Sequence, residues 1–176
     1  MNAAPDTDAI AWPAHYAPSR SPIHVRNELR IAAPLPVVWS WLTRAEQWPR
    51  WYSNSANVRF VSGDGPDLTE GAQFRWKTFG VSLVSCVKEF VPQSRLAWDA
   101  KTFGIEAYHA WLLRPTPDGG CHVLTEETQH GVIAHAGQLL FPNRMQRYHQ
   151  IWLESLASCA ARGMPTRRPD TDESNR

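Results

Sequence analysis

Residues 105–161 read IEAYHAWLLRPTPDGGCHVLTEETQHGVIAHAGQLLFPNRMQRYHQIWLESLASCAA, and the change of period inside this run decides the fold. Its first half is a β-hairpin. Pro117-Asp118-Gly119-Gly120 is a turn signal joining a strand over Ile105 to Arg114 with another over Cys121 to His130. From about Ala136 to Ala161 the apolar spacing becomes helical. Leu139, Leu140, Met145, Tyr148, Ile151, Trp152, Ser155, Leu156 and Cys159 share one broad face. Pro142 is expected to kink this helix or to mark its true start, because proline lacks the N–H that an interior position donates.

The same reading extends upstream. A first strand over His24 to Ile31 is followed by Pro34 and Pro36, and Pro36 suits the first turn of a short helix carrying Val37, Val38, Trp41 and Leu42. Ala45 to Trp51 reads as a second short helix broken by Pro49. Strand signals then follow at Val58 to Val61, Phe74 to Phe79, Val81 to Val91 and Arg95 to Thr102, separated by short turns. This order predicts an α+β fold: a seven-stranded curved antiparallel sheet around a long C-terminal helix, with two short helices between strands 1 and 2. A helix that long must bury its stripe on the concave face of the sheet. One helix cannot fill such a trough, so a cavity is expected.

The bulk properties fit one domain. The chain has 176 residues, and the folded part is expected over residues 23–162, between an N-terminal extension (residues 1–22) and a disordered tail (residues 163–176). Eighteen basic residues against 17 acidic ones give a net charge of +1, so there is no electrostatic case for nucleic acid or an anionic membrane surface. The three cysteines, Cys86, Cys121 and Cys159, lack metal-type spacing and are expected to be free thiols in a reducing compartment. No secretory signal and no bilayer-length apolar run is visible, so the expectation is cytoplasmic, without integral membrane association. Nine tryptophans are the outlier, and so many large rings ask for a big interior or an aromatic pocket wall.

Several local motifs carry a family likeness. They are Ile31-Ala32-Ala33-Pro34 with Val38-Trp39 and Leu42, then Trp48-Pro49-Arg50-Trp51, Gly71 with Phe74 and Trp76, Trp111 with Pro115 and Gly119-Gly120, and Thr125 with Gly131. In these, and in its order of elements, the chain resembles the START and birch-pollen-allergen-like helix-grip superfamily, within its polyketide cyclase/dehydrase and lipid-transport group. The resemblance covers about Val25 to Ala161. It implies the helix-grip architecture and a hydrophobic or aromatic small-molecule ligand between the sheet and the C-terminal helix. Fold alone does not name the ligand or a reaction.

The final hairpin supplies the candidate chemistry. With a loop over Thr116 to Gly120, Leu113 faces Val123, Trp111 faces Thr125 and His109 faces Glu127, all on one interior face. An imidazole beside a carboxylate in the trough suits general acid–base work, and His109 and Glu127 are the candidate catalytic pair. They also suit a plain structural pairing, since a buried polar group needs a partner. Thr78, Tyr148 and His149 are candidate helpers for holding a carbonyl. The expected ligand wall is Trp76, Thr78, Trp98, Trp111, Thr125, Tyr148 and Trp152, whereas Trp39, Trp41, Trp48 and Trp51 read as core or lid packing. His130, His135 and His149, with His109 and Glu127, show no HxH or HxxxH spacing, so neither a metal nor a cofactor is expected. The expected mouth lies at the two short helices and the Phe103-Gly104 turn. Three functions compete: a hydrophobic-ligand carrier, a cyclase or dehydratase using His109 and Glu127, and a protein-interaction module. The oligomeric state is left open.

Overall fold

The structure is a computed structural model that describes residues 9–63 and 65–165. The parts of the expected N-terminal extension and disordered tail that fall on residues 1–8 and 166–176 lie outside the described residues.

Seven antiparallel strands form one sheet in the order β1-β7-β6-β5-β4-β3-β2. They are β1 (Ile23–Ile31), β2 (Ala56–Ser62), β3 (Gln73–Thr78), β4 (Val81–Val91), β5 (Arg95–Thr102), β6 (Ile105–Pro115) and β7 (Cys121–His130). The first two strands are the two edges because the chain between them leaves the sheet. It forms α1 (Leu35–Thr43) and a 3₁₀ turn over Ala45–Arg50, the two short helices read from the sequence. Pro36 occupies the first turn of α1, where a missing N–H costs nothing. The Trp48 indole N–H donates to the Leu42 carbonyl at 2.9 Å and ties the second helix to the first. Trp48 is fully buried and becomes the hub of the core.

The C-terminal segment carries the expected long helix, with a break at the expected Pro142. It forms α2 (Val132–Leu140) and α3 (Arg144–Ala160), separated at Phe141-Pro142. A residue before proline is pushed out of the helical region, and Phe141 adopts φ −138°, ψ 66°. The break rotates α2 away from the stripe of α3. Leu139 and Leu140, expected on the buried face, are 84% and 69% exposed, and α2 buries Ala134 instead. On α3 the buried face is Met145, His149, Trp152, Leu153, Leu156, Cys159 and Ala160, one side of a helix lying on the sheet.

The main core is aromatic. Trp48, Phe74, Trp98, Trp111 and Trp152 are each 2% exposed or less and pack between sheet and helix. Ahead of β1, Trp12 and Tyr16 fold back onto the outer face of the sheet against Tyr108, Ala97 and Ala110. That cover explains why β6 is buried on both faces from Ala107 to Leu113 instead of alternating. The three cysteines are free thiols.

Candidate functional site

The hairpin register places the central polar groups. β6 and β7 pair Leu113 with Val123, Trp111 with Thr125 and His109 with Glu127, so these side chains point into the trough. There they border a cavity of about 200 Å³ under α2 and α3. The sheet contributes Trp76, Trp98, Ala100 and Ala107 to its wall, α2 contributes Ile133 and Ala134, and α3 contributes Met145 and Trp152. Polar groups collect on part of the lining: Tyr52, Thr78, His109, Glu127, Gln129 and His149. A cavity of about 150 Å³ accommodates benzene. This one therefore has room on the order of a bicyclic aromatic, with its open side free for a longer substituent.

Glu127 is the centre of the polar cluster. Its Oε2 lies 3.1 Å from His149 Nε2 and 3.4 Å from His109 Nδ1, and its Oε1 accepts from Gln129 Nε2 at 2.5 Å. His109 Nε2 is 2.7 Å from Thr125 Oγ1. The two imidazoles stack, with centroids 4.7 Å apart and planes 6° from parallel. All three side chains are buried. Burial, reinforced by the neighbouring His149, drives the His109 pKa down to about 3 against the pull of Glu127. Burial works to raise the Glu127 pKa, but the hydrogen bond from His149, the facing imidazoles and the bond from Gln129 outweigh it and hold it at about 2. The resting cluster at neutral pH thus pairs an ionised carboxylate with a neutral His109. His149 Nδ1 is buried and has no hydrogen-bond partner among the described residues.

A second set of contacts fixes the phenol of Tyr52. Asn54 Nδ2 donates to Tyr52 Oη at 3.2 Å and to Thr78 Oγ1 at 3.0 Å, and its Oδ1 accepts from the Phe79 amide at 2.8 Å. Tyr52 stacks on Trp152 at 4.2 Å. Burial pushes its pKa up, so the hydroxyl keeps its proton and can donate it to a ligand oxygen. The Trp152 indole N–H is likewise buried without a partner among the described residues.

Of the residues singled out from sequence, Trp76, Thr78, Trp98, His109, Glu127 and Trp152 line the cavity. Trp111 and Thr125 stand behind His109, the first stacked on its ring at 5.0 Å and the second bonded to it. Tyr148 lies outside the lining, half-buried, edge-on to Phe79 at 5.4 Å. His149, read as a helper, sits at the centre. Tyr52, Asn54 and the separateness of α2 from α3 escaped the sequence reading. Nothing periodic marks a tyrosine in a loop, and α2 was merged into the helix after it. Phe79, Ile133, Phe141 and Arg144 also line the cavity, and the Phe103-Gly104 turn lies beside them, the Ile133 amide donating to the Gly104 carbonyl at 3.1 Å.

The family model described as "Polyketide cyclase / dehydrase and lipid transport" matches residues 22–163. The chain belongs to this family. A crystal structure of a hypothetical protein from Helicobacter pylori is 31% identical, with a TM-score of 0.81 over 91% of this chain and 99% of that one. The Zhui aromatase/cyclase of Streptomyces sp. R1128 shares the fold at 14% identity, with a TM-score of 0.67 over 80% of this chain and 94% of that one. A curated "Putative polyketide cyclase" of Streptomyces halstedii is 40% identical over 42 residues, which span 24% of this chain and 38% of that relative. Membership of the polyketide cyclase/dehydrase and lipid transport family supports a ligand-binding or cyclase role and a hydrophobic small molecule as partner. Among the described residues, no helix is long and apolar enough to cross a membrane.

Proposed function

We propose that this protein binds a carbonyl-bearing aromatic or polyketide-like molecule, of about two fused rings, in the cavity between sheet and helices. The observation that carries the reading is one cavity with an aromatic wall and a localised polar cluster. Trp76, Trp98 and Trp152 offer ring faces, while Tyr52 and the Glu127 cluster offer a donor and an acceptor set. Apolar contact supplies affinity and the few polar groups set orientation. The family and its description support this ligand class. Expected on native mass spectrometry is a co-purifying hydrophobic compound; on titration with 2-naphthol, saturable tryptophan quenching and a thermal shift. An empty protein that neither quenches nor shifts would reject the reading in favour of a protein-interaction role.

A cyclase or dehydratase reading has its own support in the state of His149. In the tautomer that donates Nε2–H to the Glu127 carboxylate, the ring's lone pair sits on Nδ1, which has no hydrogen-bond partner among the described residues. Such a base removes an acidic C–H proton next to a carbonyl while the Tyr52 hydroxyl donates to the carbonyl oxygen. Glu127→Gln and Tyr52→Phe then retain naphthol binding and lose product formation from a poly-β-keto substrate. Retained turnover in both variants would reject the enzyme and leave the carrier.

A further inference from the structure

His109, Glu127 and His149 come from three separate elements, β6, β7 and α3, yet they bring one ligating atom each to within 4.8 Å of one another. Two of the three edges already have metal-site lengths. Ligands held 2.0–2.1 Å from a tetrahedral ion lie about 3.3 Å apart. The His109 Nδ1 to Glu127 Oε2 separation is 3.4 Å, and the His149 Nε2 to Glu127 Oε2 separation is 3.1 Å. Two of the groups are also held from behind. Thr125 Oγ1 is bonded to the other nitrogen of His109, and Gln129 Nε2 to the other oxygen of Glu127. Partners of this kind fix the tautomer and direction of metal ligands. All three residues line the cavity, so a fourth position faces the ligand space.

We propose that His109, Glu127 and His149 bind a divalent transition-metal ion, zinc by ligand chemistry, with its remaining position open to the cavity. Two imidazoles and one carboxylate are a zinc-type donor set, and an open fourth position separates a reactive site from a closed structural one. Loading moves the proton of each neutral ring from the nitrogen that faces Glu127 to its other nitrogen, where Thr125 Oγ1 can accept from His109 Nε2–H, and leaves both lone pairs to the ion. Loading must also swing the rings out of their parallel stack, because the in-plane lone pairs have to meet at one point. That closes the third edge by no more than about 1.5 Å. In the loaded state the open position holds a ligand oxygen, an assignment that rests on the carbonyl-bearing ligand proposed above; the metal site itself does not.

The test uses the full chain, stripped with chelator and titrated with Co²⁺ under visible absorption, with Zn²⁺ as competitor. Expected is one equivalent of Co²⁺ with the intense visible bands of a four-coordinate site, displaced by one equivalent of Zn²⁺. Glu127→Gln and His149→Gln lose the bands. Thr125→Val, which keeps all three ligands and so covers the case of an unfolded ligand variant, weakens binding by about 10-fold or more. No visible bands and no Zn²⁺ uptake by folded protein would overturn the proposal. So would bands that persist in Glu127→Gln and His149→Gln, which would place the ion elsewhere, as at the stacked His15 and His130 pair. Naphthol titration of the stripped protein keeps the two readings apart. Naphthol binding without Co²⁺ binding removes the metal alone, and the reverse removes the aromatic ligand alone.

Discussion

Replacing Trp152 by alanine tests whether the aromatic cluster joins helix to sheet. Trp152 is 2% exposed, stacks on Tyr52 at 4.2 Å, and touches Trp48, Trp111, His109, Trp76 and Trp98 with centroids 5.1–6.2 Å away. A buried tryptophan removes about 150–250 Å² from water, or roughly 4–6 kcal/mol at 25 cal/mol per Å². Alanine keeps a small part of that. The void merges with an existing cavity instead of opening inside a sealed core, and this tempers the packing loss. The expected destabilisation is about 3–5 kcal/mol, or roughly 6–20 °C in Tm for a chain of this size. Equilibrium urea unfolding reads it as a lower midpoint at unchanged slope. Trp152→Phe, which keeps a ring against Tyr52, loses clearly less. A loss below about 1 kcal/mol for Trp152→Ala would refute the claim that this contact holds α3 on the sheet.

Two further predictions follow from other parts of the fold. Gly131, at φ 109°, lies between β7 and α2, and a Cβ there would overlap the Gly104 carbonyl. Gly131→Ala is therefore expected to cost more than about 2 kcal/mol and to loosen α2, seen as faster amide exchange over 132–140; unchanged exchange would refute the support. Burial raises the Cys121 pKa to about 11 from an ordinary value of 9.0. The folded state then holds this proton more tightly than the unfolded state. The contribution is complete below pH 9 and is lost as pH rises through about 11. It amounts to on the order of 1–2 kcal/mol. Urea midpoints of wild type should fall more steeply from pH 9 to 11 than those of Cys121→Ala, and parallel curves would show that the thiol carries no such linkage.

The two kinds of information divided along physical lines. Strands and short helices were legible because their signals are local: period-2 alternation, Pro36 in a first turn, a Pro-Asp-Gly-Gly hairpin. The hairpin register was legible too, since a loop of known length fixes which residues oppose, and that alone set His109 against Glu127. The fold class followed from the order of elements, and so did the expectation of a cavity.

What the sequence could not settle depends on contacts between distant segments. Apolar spacing continues across Phe141-Pro142, so only the folded chain showed that α2 turns away and leaves Leu139 and Leu140 exposed. Tyr52 enters the cavity because Asn54 ties its loop to Thr78 and Phe79, a constraint with no period to read. His149 reaches Glu127 from the helix, 22 residues along the chain, which a search for closely spaced metal ligands on one element passes over. Local sequence therefore determined the elements and the facing pair on one hairpin. Only tertiary packing decided which third side chain closes on that pair, because the approach of helix to sheet is set by the summed burial of many side chains and not by any single residue.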